Sequence, residues 1–483
     1  MWGLVVLLLR GIGIDFVPAL ASLLSTDVAA INLLFSIFMC YPMAIIYHKY
    51  VRVSFNGKEF IRHFYFIAMG FDMAYFNFGF KMYHNIIPIL VIYVTNTVVG
   101  PGKLQCLVTF CFNMIYLVGG YIYTESENYD ITWTMPHCVI TLKLIALSFD
   151  LWDGLKLEKQ IDVPESIKRI DTAVPTLPSL MEIFGYVYFP PCFLVGPIFS
   201  FRRYKHFVMD VFPLKGKPFT YDRQKASLKT LLSGLLLLAI YQVAGAYFSM
   251  DYMLSKEFLE KGILSRHIYC GIWSYTALSK YISCWLLTEG ACILFGLSYN
   301  GYKDGLSHWD ACRNVKLGRF ITSTRFQHYI DSFNCNTNHF AAEYIYKRLK
   351  FLGNKSASQG LTLFFLALWH GVHSGYYATF FNEFMLIYFE KGLEDFLKKT
   401  PYYTLLTTTP LKYLYLPLLK LYTLVYLGWS LTPFDVKLGS KWVYVYSTMW
   451  FSGYVIFLPW GFVYKPLLIK LFKKRHWLEE KRK

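Results

Sequence analysis

The run LTLFFLALWHGVHSGY at residues 361–376 places two histidines inside a stretch that is otherwise almost entirely apolar. A stretch of about 20 apolar residues is long enough to cross a bilayer. Similar runs recur along the 483-residue chain, which is 55% hydrophobic and only 16% charged. Soluble chains carry about 25% charged residues. The sequence therefore predicts an all-α polytopic membrane protein.

The apolar runs predict roughly 11 transmembrane helices, because one run is short and two are long enough to be tilted or broken. We find no internal repeat and no long linker, so we expect one membrane domain over residues 1–483. The candidate spans lie near residues 3–25, 28–47, 60–80, 86–100, 104–123, 131–151, 180–200, 228–249, 263–298, 359–391, 402–431 and 441–472.

The chain has a formal net charge of +17, and its basic residues lie mainly between and after the apolar runs. Nucleic acid is one partner for a basic chain, but basic loops on the cytosolic face of a membrane explain this distribution better. The positive-inside rule places the region 300–358 and the basic tail 473–483 in the cytosol. The sequon that begins at Asn354 should then carry no glycan. Within 300–358, apolar residues at helical spacing from Phe340 to Phe351 predict one or two amphipathic helices at the membrane surface.

The two histidines of the opening run are His370 and His373. Ionisable groups at membrane depth are costly and usually line a cavity or a pathway. Their i,i+3 spacing predicts that both lie on one helix face, and Gly371 and Gly375 would let a neighbouring helix or a ligand approach closely. The alternative is a pair of histidines bonded to neighbouring helices. We predict no metal site, since a third ligand at suitable spacing is missing.

A second polar segment, DSFNCNTNHF at residues 331–340, contains three asparagines ahead of the predicted surface helix. By itself it could be a turn followed by a helix N-cap. Together with the histidine it resembles the membrane-bound O-acyltransferase family, in which an intramembrane histidine is paired with an upstream asparagine. The family pattern D-x-aromatic-N-x-x-T-x-x-aromatic is matched by Asp331, Phe333, Asn334, Thr337 and Phe340, with Phe at two places where other members often have Trp.

The resemblance gives Asn334 the role of the family asparagine and His370 the role of the family histidine. Three further runs, at residues 193–197, 351–355 and 366–376, look like the lysophospholipid acyltransferase branch of the family. That branch implies acyl-CoA as co-substrate with no other cofactor, lysophosphatidylcholine as acceptor, and residence in the endoplasmic reticulum membrane.

Acyl transfer from a thioester to an alcohol needs a group that removes the hydroxyl proton as attack proceeds. A neutral histidine can do this, and an apolar setting keeps the imidazole neutral because burial disfavours the charged form. Asn334 could polarise the thioester carbonyl, or it could orient the imidazole or the hydroxyl. Cys335 is an alternative nucleophile, but the sequence shows no base that would activate it.

Candidate substrate-binding residues follow from the same chemistry. An intramembrane cavity would accept the acyl chain and the lipid tail and shield the thioester from water. Coenzyme A carries several phosphates, for which Arg and Lys are the expected partners, although the same cations could attract anionic lipid headgroups. The candidates are the cations Arg325, Lys347, Arg348 and Lys350, together with Trp369 and His373 beside the histidine and Glu289 in an apolar run.

Two other functions remain open from the sequence. A protein or sterol O-acyltransferase would share the family pattern but not the lysophospholipid-type runs. A transporter could also place ionisable groups along a path through the membrane, and inverted repeats would favour it. We find no such repeats.

Overall fold

A computed structural model describes residues 16–55, 57–125, 131–159, 172–212 and 221–480. The start of the first predicted span, residues 3–15, and the end of the basic tail, residues 481–483, lie outside these ranges. The described residues are predominantly helical, with one two-stranded antiparallel hairpin. This confirms the all-α class for the described chain.

The chain separates into two compact units that interleave along the sequence. The first unit comprises residues 1–238, 280–315 and 334–348, and the second comprises residues 239–279, 316–333 and 349–483. The expectation of one continuous domain stays a prediction.

The first unit is mostly helical and also contains the two strands of the hairpin. Its helices are Phe16–Leu23, Val28–Ile46, Arg52–Ser54, Glu59–Phe78, Tyr83–Val98, Lys103–Tyr123, Thr134–Lys159, Leu180–Val187, Pro190–Phe193, Phe201–Val208 and Cys335–Phe340, with π-helical turns Tyr47–Val51 and Ala341–Tyr346 and a 3-10 turn Gly79–Met82. The strands are Tyr302–Lys303 and Leu306–Ser307.

The second unit is also helical. Its helices are Met250–Met253, Lys256–Glu260, Leu317–Ile321, Phe326–Ile330, Lys355–His370, Ser374–Leu397, Pro401–Thr408, Lys412–Val436, Gly439–Thr448, Ser452–Phe457 and Tyr464–Glu480, with a 3-10 turn Leu458–Trp460. Tyr221–Gly245, Ile263–Phe295 and the 3-10 helix Lys347–Leu352 contribute residues to both units.

In the described ranges, five helices are long and apolar enough to cross a membrane, or up to six if a pair bent by 55° forms one span. This makes the chain a multi-pass membrane protein. The five are Val28–Ser54, Glu59–Val98, Lys103–Tyr123, Tyr221–Met253 and Lys412–Val436, and the bent pair is Ser452–Trp460 with Tyr464–Phe472. The predicted segment 180–200 instead forms two short helices, because prolines at 190 and 191 begin a new helix.

The core of the first unit is aromatic. The Tyr47 ring lies 5.0 Å from that of Phe66 and 5.8 Å from that of Phe295, and Phe66 is also 5.0 Å from Phe189. Edge-to-face and tilted pairs at these distances are favourable arrangements of aromatic rings. Part of the high aromatic content of the sequence therefore packs the interior.

Candidate active site

The segment that carries the histidines is broken immediately after His370. Helix Lys355–His370 ends there, Gly371 has a φ of 144°, and the next helix begins at Ser374. His373 is the N-cap residue of that second helix. The expectation that both histidines share one helix face was therefore wrong. Gly371 adopts a backbone conformation that helical residues do not have, so the helix stops before His373 and the i,i+3 relation between the two histidines is lost.

The His370 imidazole is surrounded by rings. Its ring centre lies 4.6 Å from Trp369, 5.0 Å from Phe434, 5.4 Å from Phe380 and 6.0 Å from Tyr376. The side chain is only partly buried, and among the described residues no group hydrogen-bonds to either ring nitrogen. Within the described part of the chain, His370 is therefore not hydrogen-bonded to a neighbouring helix, which was the alternative interpretation of this histidine. The imidazole can therefore exchange a proton with a bound molecule.

A close helix contact supports this ring cluster. A Cβ on Gly375 would lie 1.9 Å from the carbonyl oxygen of Pro433, and the Gly375 N–H donates to the carbonyl of Lys437 at 3.0 Å. Helices Ser374–Leu397 and Lys412–Val436 can therefore approach closely only because residue 375 has no side chain. This confirms the packing role predicted for Gly375 and brings Phe434 beside His370.

Asn334 occupies the N-cap position of the helix Cys335–Phe340, which we call the motif helix. Its backbone is left-handed, with φ 49° and ψ 43°, a conformation that asparagine tolerates better than most residues. Its side chain makes no capping hydrogen bond. Instead, its Oδ1 accepts a hydrogen bond of 3.2 Å from Nδ2 of Asn314. A simple N-cap therefore does not explain this side chain.

Asn314 is a residue that the sequence reasoning missed. It is 3% exposed and binds three consecutive residues of the motif. Besides Asn334, its backbone carbonyl accepts the Cys335 N–H at 2.9 Å, and its Oδ1 accepts the Asn336 N–H at 3.0 Å. No pattern in the sequence singles it out, because its partners lie about 20 residues away along the chain.

Glu289 lies on the helix Ile263–Phe295 and is 2% exposed. Its Oε1 accepts from Nε of Arg313 at 3.4 Å. The structure thus connects two residues predicted separately. Glu289 binds Arg313, and the next residue along the chain, Asn314, binds Asn334.

Arg348 is engaged by a buried carboxylate. Its guanidinium forms a two-pronged ion pair with Asp153, which is fully buried on the helix Thr134–Lys159. Burial by itself would lower the pKa of Arg348, but the hydrogen bonds and charge of Asp153 raise it above its ordinary value. The geometry gives Arg348 a structural partner in the position where we predicted a phosphate contact.

The other predicted cations are more accessible. Lys347 pairs with Glu343 one turn earlier in the chain, and Lys350 is exposed. Arg325 is 41% exposed and forms an ion pair of 2.8 Å with Glu394. The residue after it, Phe326, donates its backbone N–H to both oxygens of Glu390, at 3.1 and 2.9 Å. Glu390 is a second residue that no sequence pattern indicated.

The predicted residues fall into two sets. The first unit contains Asn334, Glu289, Lys347 and Arg348, and the second contains His370, Trp369, His373, Arg325 and Lys350. Trp369 is 6% exposed and stands edge-on to His370. The pairing of Asn334 with His370 stays a prediction.

The structure is thus that of a helical membrane protein with a half-buried imidazole among aromatic rings. The sequence profile of MBOAT, the membrane-bound O-acyltransferase family, matches residues 118–432. The chain therefore belongs to the membrane-bound O-acyltransferase family and is an O-acyltransferase. The matched range includes both Asn334 and His370.

Two named relatives align with almost the whole chain, and a third aligns with about half of it. Lysophospholipid acyltransferase 5 of Homo sapiens is 40% identical over 447 residues, covering 92% of this chain and 90% of that protein. The protein of the same name from Drosophila melanogaster is 39% identical over 451 residues, covering 92% and 88%. Lysophospholipid acyltransferase of Schizosaccharomyces pombe is 32% identical over 269 residues, covering 54% and 51%.

Proposed function

We propose that this protein transfers an acyl group from acyl-CoA to the free hydroxyl of a lysophospholipid. Lysophosphatidylcholine is the principal acceptor, and lysophosphatidylserine and lysophosphatidylethanolamine are further acceptors. The activity belongs to phospholipid remodelling in the endoplasmic reticulum membrane, with the basic tail in the cytosol. The names of the relatives that align with nearly the full chain support the lipid substrate.

The observation that carries the chemistry is the open imidazole of His370 among aromatic rings. The imidazole takes the hydroxyl proton as the lysophospholipid oxygen attacks the thioester carbon. The new ester C–O bond forms, the C–S bond breaks, and the imidazolium returns its proton to the departing thiolate of CoA. Asn334 assists at the carbonyl or at the attacking group, and no acyl-enzyme is needed.

The proposed setting is a bundle of roughly 11 spans that encloses an intramembrane catalytic cavity. Such a cavity would keep water away from the thioester while both hydrocarbon tails remain in apolar surroundings. The exposed cations Lys347 and Lys350 would bind CoA phosphates from the cytosolic side, and anionic lipid headgroups would compete for them.

The test is an acyl-transfer assay on purified protein, with a panel of lysolipid headgroups and acyl-CoAs. The unmodified protein should form phospholipid and free CoA in equal amounts. His370→Ala should lower kcat by at least about 100-fold, the smallest usual effect of losing a general base. Its thermal unfolding midpoint should change little, because no described hydrogen bond is lost.

The matched control is His308→Ala, at a half-buried position outside the family motif. It should retain normal transfer. Full activity of His370→Ala would refute the catalytic role, and transfer only to a sterol or to a peptide serine would replace the lysophospholipid acceptor.

A further inference from the structure

The orientation of the buried Asn314 side-chain amide follows from a neighbouring backbone N–H, which can only donate a hydrogen bond. The backbone N–H of Asn336 can only donate, and it lies 3.0 Å from the side chain of Asn314. The Asn314 atom that faces it must therefore be the oxygen, Oδ1. The –NH2 group of Asn314 is then the end that reaches Asn334, at 3.2 Å.

The orientation of the Asn314 amide in turn fixes that of the Asn334 amide. Because Asn314 presents an –NH2 group, the atom of Asn334 that receives it must be Oδ1. The acceptor end of Asn334 is thus engaged, and its own –NH2 group is directed elsewhere. Among the described residues, no acceptor binds that –NH2 group. Asn334 therefore offers two N–H donors, while its oxygen already accepts one hydrogen bond.

Two features prevent this arrangement from reversing freely. Asn314 is 3% exposed, so its amide has little room to turn. Its carbonyl accepts the Cys335 N–H at 2.9 Å, which fixes the turn that carries Asn334 in its left-handed conformation.

We propose that Asn314 is a positioning residue, which holds the amide of Asn334 so that its –NH2 group donates to the thioester carbonyl oxygen of the acyl donor. This inference rests on the proposed function and selects between the two roles left open for Asn334. Negative charge develops on that oxygen as the hydroxyl attacks, and a fixed donor stabilises it. The donor role is favoured because Oδ1 already accepts from Asn314, whereas no described residue accepts from the –NH2 group of Asn334.

The first test replaces the donor while keeping the acceptor. Asn334→Asp has nearly the same shape and can still accept from Asn314, but it has no –NH2 group. We expect kcat to fall about 100-fold or more, with the KM for both substrates changed little, as for loss of one oxyanion donor. The matched control is Asn336→Asp, the same chemical change two residues along, because the Asn336 contact to Asn314 comes from its backbone. It should keep kcat within about twofold.

The second test acts through Asn314. Asn314→Asp still accepts from the Asn336 N–H, but it presents a second oxygen to Asn334 and should turn that amide over. We expect a loss of kcat similar to that of Asn334→Asp. In a background of Asn334→Ala, the same substitution should cause no further loss, because the two residues act as one unit. Gel filtration and thermal unfolding of each variant would show whether it is folded.

The outcomes are distinguishable. Absence of transfer by the unmodified protein would overturn the proposed function and this inference with it. Transfer that survives Asn334→Asp undiminished would overturn the inference alone, as would an additive loss from Asn314→Asp in the Asn334→Ala background. The Asn334→Asp arm settles the matter even if Asn314 variants fail to fold.

Discussion

Gly371 separates His370 from the helix that follows it. Its φ of 144° lies in a region that residues with a side chain rarely adopt. A Cβ at this position would also lie 2.8 Å from the ring of Tyr376, which is itself a neighbour of His370. The position of the imidazole therefore depends on a residue that has no side chain.

We predict that Gly371→Ala reduces both stability and kcat. The strained backbone should cost at least about 1 kcal/mol, and displacement of Tyr376 should move the His370 ring. Thermal unfolding in detergent and acyl transfer by the same sample would measure the two effects. Gly360→Ala is the matched control, because a Cβ there meets no atom within 4 Å and the position is inside helix Lys355–His370. It should be neutral or stabilise by about 0.5–1 kcal/mol. A Gly371→Ala protein with normal kcat would show that the ring position does not depend on this turn.

Among the helices, Thr134–Lys159 differs most from its sequence-based prediction. The apolar run at 131–151 predicts an ordinary transmembrane span. In the structure it is a central helix of the first unit, and most of its side chains are buried, including Lys143 and two aspartates. Asp150 accepts a hydrogen bond from the Tyr344 hydroxyl at 2.8 Å, and Asp153 pairs with Arg348. These contacts connect the helix to the segment that follows the motif helix.

We predict that Arg348→Ala destabilises the protein strongly. The change leaves the Asp153 carboxylate buried without its counter-charge, which costs about 3–5 kcal/mol. Asp153→Asn in the same protein should restore part of this loss, because an amide is cheaper to bury than an unpaired charge. Lys347→Ala is the control, since an exposed ion pair contributes at most about 1 kcal/mol. Denaturant or thermal unfolding in detergent gives the comparison. A large rise in the KM for acyl-CoA without loss of stability would instead assign Arg348 to phosphate binding.

At the scale of the whole molecule, the hydrophilic region 300–358 contains the hairpin, the motif helix and the surface helical turns. The amphipathic helix predicted from Phe340 to Phe351 is helical in the structure, but it changes from α to π and then to 3-10 geometry. The basic residues of this region and of the tail predict that both face the cytosol.

This topology predicts that Asn354 carries no glycan. Asn354 is exposed and caps the helix Lys355–His370 through the Ala357 N–H, so it would be accessible to the glycosylation machinery if it faced the lumen. Protein made in eukaryotic cells should therefore show the same gel mobility before and after glycan removal, and the same mobility as Asn354→Gln. A glycan at Asn354 would place the region 300–358 in the lumen and contradict the cytosolic entry of acyl-CoA.

The sequence by itself determined the class of fold and the family pattern, and it selected His370 and Asn334 as candidates, because apolar runs and motif spacing are local properties of the chain. The sequence could not predict that the helix breaks at Gly371, because the apolar pattern is compatible with a helix on both sides of this residue. Only the backbone conformation of Gly371 interrupts the helix. The sequence also could not find Asn314 or Glu390, whose partners are distant in sequence. Only the tertiary structure brings these side chains to backbone groups elsewhere in the chain. Hydrogen-bond direction is a property of two groups in contact, and this is why the donor role proposed for Asn334 follows from its neighbour and not from its own position in the motif.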